Sequence, residues 1–345
     1  MNYIDILIVV TYKIYIVGYA SAHMGNGAWD AHNLQLKHCH IKNSPVGYSF
    51  RRSTASGIIP VLGVGVVDDS ELYLLRLFYS IDYPVKHKIV VVGGQEGNVV
   101  AQVGHILNNF ENVTSIQCTQ LIGVSEGWNA ILTAFQREEW FLIVAFDVAF
   151  MPGSLKLFAE RFWVDSQEHQ VPTENLTDMG FFNIANFHVR KGGFSSGAYN
   201  AFAVTQRLMR RAGLFDENIY PAFCEDAEFN IRVSRLNPGI VRRVYHESKV
   251  IHGAINEKGY KSGLKTMNNH LTRRTIGNNI YGNCRYVLVK WGCKTIHSCK
   301  YATPYNQSYY AINFWEFDHK RRKGVTDYLA QNNQTQDFLP QKAGG

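Results

Sequence analysis

Acidic and imidazole side chains of this chain lie where predicted strands and helices begin or end. Asp147 interrupts the apolar stretch WFLIVAFDVAF at 140–150, Glu225 and Asp226 open a predicted helix, and His252 lies in the sequence VIHG. Carboxylates bind divalent cations and accept protons as general bases, so metal-ion and acid–base chemistry are both open to this set. Structural alternatives remain: a turn cap for Asp147, an ordinary helix-start acid pair, and a hydrogen-bonded core imidazole for His252.

The elements that would position these residues alternate between strand and helix. The strands are predicted from apolar runs, and the first helix from apolar residues at i, i+3, i+4 and i+7. Such alternation predicts an α/β domain with a mostly parallel central sheet and helices on both faces. Predicted strands lie at 57–67, 87–94, 115–123 and 140–146, and predicted helices at 70–81, 99–110 and 125–138.

Asp147 follows the fourth of these strands. Ligands of open α/β sheets bind beyond the carboxyl ends of the strands, so we expect its carboxylate to face a ligand, whereas the apolar residues before it form core. Farther along the chain, the segment QRLMRRAGLFDE at 206–217 predicts a helix that ends at Gly213. A pair of strands is predicted within 239–253.

A longer motif joins several of these residues. The chain contains Gly213-Leu-Phe-Asp-Glu, then Glu225-Asp226-Ala-Glu228-Phe229, then Arg232. Together with an acid placed before a Pro-Gly turn, this pattern resembles the GT-A fold glycosyltransferases of family 2. The resemblance covers roughly residues 57–255 and implies a GT-A, Rossmann-like domain that transfers a sugar from a nucleotide-diphosphate donor.

The resemblance also implies roles for the four residues above. Asp147 would bind a divalent cation, Mn²⁺ or Mg²⁺, which offsets the charge of the leaving diphosphate. His252 would be a further metal ligand or a hydrogen-bond partner of the diphosphate. Asp226 would be the general base, Glu225 would orient the acceptor or Asp226, and the helix dipole would favour the ionised form of the pair. Direct attack would invert the anomeric centre.

Donor contacts follow from the same resemblance. Asp68 and Asp69 end the first strand, Glu96 follows the second, and Asn129 follows the third. These four residues would hold the nucleotide and ribose, with a UDP-sugar as the family-level expectation. The acceptor would be a hydroxyl on a glycan or glycoconjugate. The sequence lacks the Q-x-x-R-W signature of processive enzymes, which favours transfer of a single sugar.

The chain departs from the family pattern at Ala145 and Phe146, where metal-binding members carry acids. A catalytically degenerate GT-A domain that binds a glycan or another partner is therefore an alternative. Nucleotidyltransferase and dehydrogenase functions are disfavoured, because no Gly-rich, Lys-bearing loop follows the first strand and GVGVVDD does not match G-x-G-x-x-G.

Composition sets further limits. The chain has 345 residues, 46% of them hydrophobic and only 18% charged, which excludes a disordered protein. A net charge of +7 suits a phosphorylated small molecule. The chain carries no nucleic-acid-binding motif, so we expect no nucleic-acid partner. Cys284, Cys293 and Cys299 cluster, and predict either a disulfide in an oxidising compartment or free thiols.

Three parts are predicted along the chain. Residues 1–56 form an irregular N-terminal arm, 57–255 the glycosyltransferase domain, and 256–345 an irregular or helical extension. This extension serves as a lid or acceptor subsite, or its Tyr and Trp side chains simply pack on the domain. The apolar segment at 4–22 contains Lys13, so a signal peptide or membrane anchor competes with an element packed on the domain. Location in the lumen of the Golgi or endoplasmic reticulum is favoured over the cytoplasm, and membrane association would run through the N-terminus.

Overall fold

A computed structural model describes most of the predicted central domain and part of its extension. It describes residues 39–42, 58–66, 71–93, 103–118, 122–136, 138–168, 179–188, 193–195, 199–235, 241–256, 259–261, 283–295 and 297–302. The predicted site residues Asp68, Asp69 and Glu96 and the N-terminal apolar segment lie outside these ranges.

Twelve strands are present in the described residues, and ten of them form one sheet. The order across the sheet is β1-β4-β3-β2-β5-β9-β7-β10-β6, with β8 paired to β7. The strands are β1 Cys39–Lys42, β2 Ile59–Val66, β3 Val85–Gly93, β4 Val113–Cys118, β5 Trp140–Ala145, β6 Val148–Phe150, β7 Met179–His188, β8 Gly193–Ser195, β9 Ala201–Thr205, β10 Val241–His252, β11 Ala254–Asn256 and β12 Gly259–Lys261.

Helices flank this sheet. Residues 103–107 and 283–290 are helical. The remaining helices are α1 Glu71–Tyr79, α2 Val124–Ala134, α3 Ser154–Glu168, α4 Gln206–Ala212 and α5 Glu225–Arg235. α1 and α3 pack apolar residues against the sheet, as expected for amphipathic helices, whereas α2 is buried almost all round.

The central part of the sheet is parallel. β4, β3, β2 and β5 are adjacent and run in the same direction, and β7 runs parallel to β10. The predicted α/β fold with a mostly parallel central sheet is thereby confirmed. Antiparallel strands extend it, since β9 joins β5 to β7, β1 pairs with β4, and β6 pairs with β10. The carboxyl ends of the four parallel strands lie at one edge of the sheet, the carboxyl edge. Asp147 lies at this edge, just beyond the end of β5.

Two apolar layers cover the faces of the sheet. One packs α1, α3 and residues 103–107 against it, and the other packs α2, α4 and α5. Gly63 in β2 permits the close approach of α2, because a Cβ at that position would lie 2.2 Å from Ile131 Cγ2. Removal of so much apolar surface from water, at about 25 cal/mol per Å², is the main force that holds the helices to the sheet.

Two local features differ from the sequence-based expectation. The strand pair predicted within 239–253 is wrong: it is the single strand β10, whose register against β7 shifts between Tyr245 and Lys249. β1 falls inside the predicted irregular arm and pairs with β4. The division of the chain into three parts stays a prediction. In the described portion of the chain, no helix combines the length and apolar character needed to cross a bilayer.

Candidate active site

Asp147 and His252 meet at the carboxyl edge of the sheet. Asp147 occupies the turn between β5 and β6, and His252 is the last residue of β10, opposite Val148 in the antiparallel register. The His252 Nε2 and Asp147 Oδ1 atoms are 3.1 Å apart. Asp147 is 5% exposed, so its carboxylate is largely withdrawn from water. The pairing of β6 with β10 therefore brings together two residues predicted to act jointly, although 105 positions separate them in the sequence.

Asn200 holds the imidazole of His252 from the other side. Its Nδ2 lies 2.9 Å from His252 Nδ1, and its backbone carbonyl accepts a hydrogen bond of 2.8 Å from Ala145 N. With the amide nitrogen donating to Nδ1, the ring proton resides on Nε2 and is donated to Asp147. Sequence reasoning missed Asn200, because its role depends on a contact between the residue before β9 and the last residue of β10 rather than on a local pattern.

Arg76, on α1, fixes the backbone around the same pair. Its Nη2 donates to the carbonyl oxygen of Asp147 and, at 3.0 Å, to that of Gly253. The backbone N of Gly253 also donates to the Asp147 carbonyl at 3.0 Å. One guanidinium thus binds both turns that carry the pair, and Arg76 too was missed by sequence reasoning.

The donor set of Asp147 and His252 fits a divalent cation. Adjacent ligands about 2.1 Å from a six-coordinate Mg²⁺-type ion lie roughly 3.0 Å apart, close to the 3.1 Å between Asp147 Oδ1 and His252 Nε2. Ligation through Nε2 would place the ring proton on Nδ1, and Asn200 would then accept it with its amide oxygen. Among the described residues, no group of three or more His, Cys, Asp and Glu side chains is placed to hold a metal.

Glu225 and Asp226 begin α5, as predicted. Asp226 Oδ1 accepts a hydrogen bond of 2.7 Å from the Ala227 backbone N, yet burial raises the pKa of its carboxyl above the usual value. Burial, reinforced by the neighbouring charge of Asp226, raises the pKa of Glu225 to about 8. Glu225 as a residue is half-buried, but its Oε2 is buried and has no hydrogen-bond partner within the described ranges. The helix dipole was expected to favour the ionised forms; desolvation outweighs it.

This raised pKa makes stability depend on pH. Folded Glu225 retains its proton at pH values where the unfolded chain has lost it, so its contribution lowers the free energy of unfolding as pH rises from about 4.5 to about 8. The free energy of unfolding of Glu225→Gln should therefore fall less than that of the unmodified protein as pH approaches about 8. Urea unfolding of both proteins across this range measures the effect. Glu160→Gln, at a half-exposed side chain of α3, is the control, and equal pH slopes for all three proteins would contradict the assignment.

The loop before Glu225 has an unusual backbone and several tethers. Phe223 and Cys224 have φ values of 75° and 74°, a conformation that costs a residue with a side chain of the order of 1–3 kcal/mol. Asn283 Nδ2 donates to the carbonyl oxygens of Tyr220 at 3.1 Å and Ala222 at 2.8 Å. A disulfide joins Cys224 to Cys284. The start of the described C-terminal segment therefore fixes the loop that leads into the acid pair.

The loop that leads into the acid pair lies at the same edge of the sheet as Asp147. The Pro221 carbonyl accepts a hydrogen bond of 2.7 Å from Val124 N, at the start of α2. That start adjoins the end of β3, because a Cβ on Gly93 would lie 2.5 Å from Ile122 Cγ1. β3 and β5 flank β2, so their carboxyl ends are about 10 Å apart.

Other acids of the Gly213–Arg232 motif form a buried ion network. Lys290 Nζ lies 2.7 Å from both Asp216 Oδ2 and Glu228 Oε1, and Glu228 also pairs with Arg232. Arg232 and Lys290 hold the pKa of Glu228 at about 2, against the opposing effect of burial. Tyr286 adds a hydrogen bond of 2.9 Å to Asp216. These charges join the loop, α5 and the C-terminal segment; Lys290 carried no signal in the sequence.

Asn129 also binds this loop. Its Nδ2 donates to the Phe215 carbonyl at 2.9 Å and to Glu217 Oε1 at 2.8 Å, and its Oδ1 accepts from Phe215 N at 2.9 Å. Its predicted contact with the donor stays a prediction, as do the roles of Asp68, Asp69 and Glu96 outside the described ranges. Of the two alternatives that the sequence left open for the clustered cysteines, the structure has the disulfide, between Cys293 and Cys299, whereas Cys284 pairs with Cys224.

Comparison with known proteins gives structural neighbours only. No protein-family model and no curated protein sequence matches the chain. A mannosyltransferase from Pyrobaculum calidifontis, solved with GDP-mannose and Mn²⁺, is 13% identical, with a TM-score of 0.47 over 84% of this chain and 79% of its own. S. aureus TarS 1–349 with UDP-GlcNAc is 15% identical, with a TM-score of 0.44 over 81% and 80%.

GalNAc-T7, solved with UDP, GalNAc and Mn²⁺, is 11% identical, with a TM-score of 0.45 over 81% of this chain and 58% of its own. At these identities and TM-scores the three neighbours carry no argument about function, so function is argued from the residues of this chain.

Proposed function

We propose that this chain is a metal-dependent, inverting glycosyltransferase that moves a single sugar from a nucleotide-diphosphate sugar, a UDP-sugar by family resemblance, to a hydroxyl of a glycan or glycoconjugate. The observation that carries the proposal is that the Asp147–His252 pair and the loop leading into the acid pair both lie at the carboxyl edge of the sheet. Asp147 is paired with His252 at 3.1 Å, and Glu225 and Asp226 begin a helix whose preceding loop contacts the same edge.

Asp147 and His252 would hold the cation, Mn²⁺ or Mg²⁺, which supplies charge neutralisation of the leaving diphosphate. Arg76 and Asn200 keep the two ligands in place through the hydrogen bonds described above. The burial of Asp147 strengthens its attraction for a cation, because few water molecules compete with it.

Asp226 accepts the proton of the acceptor hydroxyl as that oxygen attacks the anomeric carbon. Its pKa, raised by burial, makes it a stronger base than an exposed aspartate. Glu225, whose pKa is near 8, carries a proton near neutral pH and leaves Asp226 as the ionised member of the pair. Attack opposite the leaving diphosphate inverts the anomeric centre.

The donor site is tested by nucleotide binding. Asp147→Asn should weaken Mn²⁺-dependent binding of UDP by at least roughly 10-fold, because a neutral amide oxygen would replace a charged carboxylate among the metal ligands, and even the loss of an outer-shell partner typically costs this much. Thermal-shift titrations with UDP and UDP-sugars, with Mn²⁺ or with EDTA, measure this change. Glu111→Gln, at an exposed acid before β4, is the matched control. Equal UDP affinity for Asp147→Asn and the unmodified protein, in both conditions, would count against the site.

We also propose an oxidising compartment, the lumen of the secretory pathway, as the place where the chain works. The Cys224–Cys284 and Cys293–Cys299 disulfides support this, because disulfides persist in such compartments and are rare in the cytosol. Alkylation of the protein in intact cells, followed by mass spectrometry, should find these four cysteines protected. Free thiols at all four would favour the cytoplasm.

A further inference from the structure

Phe223 is an aromatic side chain exposed beside the acid pair. It is 38% exposed, although most large apolar side chains of the described region are buried. Only one residue, Cys224, separates it from Glu225. The other exposed large apolar residues of the described region (Ile58, Leu72, Tyr79 and Leu157) lie elsewhere in the sequence.

The backbone holds this ring in place at a cost. Phe223 and Cys224 are both in the left-handed region, with φ of 75° and 74°. For residues with a side chain, such conformations persist where the surroundings enforce them, and they cluster at ligand sites. Here the Cys224–Cys284 disulfide and the Asn283 hydrogen bond to the Ala222 carbonyl, of 2.8 Å, enforce it on both sides. The ring is therefore presented to solvent by a restrained loop.

The surroundings of the ring select the class of ligand. An aromatic face attracts weakly positive C–H groups, and the nearby carboxyls of Glu225 and Asp226 exchange hydrogen bonds with hydroxyls. A pyranose presents both features, an apolar face of C–H groups and a rim of hydroxyls. A lipid chain would instead require a continuous apolar surface, which a single exposed ring two residues before an acid pair does not provide.

We infer that Phe223 is the stacking platform for the acceptor, and that the acceptor group bound there is a pyranose ring whose apolar face lies on the phenyl ring while its hydroxyl points to the acid pair. The identification of the bound sugar as the acceptor rests on the proposed function. The binding of a sugar ring at Phe223 does not depend on catalysis.

The test uses the full oxidised chain and a panel of methyl pyranosides of glucose, galactose, mannose and N-acetylglucosamine. Saturation-transfer NMR, with and without UDP and Mn²⁺, should show saturation of C–H protons on one face of at least one glycoside. Phe223→Ala should abolish that signal, and Phe223→Trp should retain it. Tyr79→Ala, which removes a more exposed aromatic ring from α1, should leave it unchanged.

Kinetics separate this inference from the proposed function. With a glycoside that is turned over, Phe223→Ala should raise the acceptor KM about tenfold and leave UDP binding unchanged. Transfer by the unmodified chain together with an unchanged KM in Phe223→Ala would overturn the inference but not the enzyme. Saturation that depends on Phe223 without any transfer would preserve the sugar platform and overturn the enzyme. Absence of saturation from every glycoside would overturn the platform.

Discussion

Replacement of Asp226 by asparagine is expected to lower sugar transfer by at least about 100-fold, because general bases of this kind contribute roughly 10²–10⁴-fold to rate. Asparagine preserves the size of the side chain and can keep the hydrogen bond that Asp226 Oδ1 accepts from Ala227 N. What it removes is the capacity to take a proton. Binding of UDP and Mn²⁺, which we assign to Asp147 and His252, should remain as in the unmodified protein.

The measurement is release of UDP from UDP-sugars in the presence of an acceptor, with thermal-shift titration of UDP on the same preparation. Asn230→Asp, five residues after Glu225 on α5, changes the charge by the same amount in the opposite direction, outside the acid pair, and should retain activity. Near-normal turnover by Asp226→Asn would show that another group accepts the proton.

Replacement of Lys290 by methionine should lower the free energy of unfolding by about 3–5 kcal/mol, the usual cost of leaving buried charges without their partner. Lys290 is 0% exposed and lies 2.7 Å from both Asp216 and Glu228. Methionine fills a similar volume but carries no charge. Of the two carboxylates, Glu228 would keep only Arg232 as a cationic partner, and Asp216 would keep only neutral hydrogen-bond donors such as Tyr286.

Urea denaturation followed by circular dichroism measures this loss. Lys294→Met is the matched control, because Lys294 is an exposed lysine four residues farther along the same segment. The control should unfold within about 0.5 kcal/mol of the unmodified protein, as surface substitutions usually do. Equal stability of both variants would mean that the network is not buried in solution.

The sequence predicted the fold well where local periodicity decides it. The alternating strands and helices through β5 follow from runs of apolar residues and from helical spacing such as Leu74, Leu77 and Phe78. It did not predict that β1 and β6 pair antiparallel at the ends of the sheet, because register between distant segments is set by tertiary packing. The irregularity of β10 after Tyr245 was mistaken for a break between two strands for the same reason.

For the candidate site, too, the sequence predicted some residues and missed others. Asp147 and His252 were both predicted, because an isolated acid at the end of an apolar strand and a histidine before a glycine can be recognised in the sequence. Arg76 and Asn200 were not, since they act through backbone carbonyls and a ring nitrogen of distant residues. Glu228 and Arg232 belong to the motif that suggested the function, yet their side chains bond within the protein interior.

The pairing of β6 with β10 has a consequence for how this protein is made. The carboxylate of Asp147 is synthesised long before its imidazole partner, which arrives only with the last long strand of the sheet. A nascent chain halted before that strand would have only one of the two proposed metal ligands. Capture on an immobilised nucleotide would therefore enrich finished molecules over truncated ones, a property that purification of this protein can exploit.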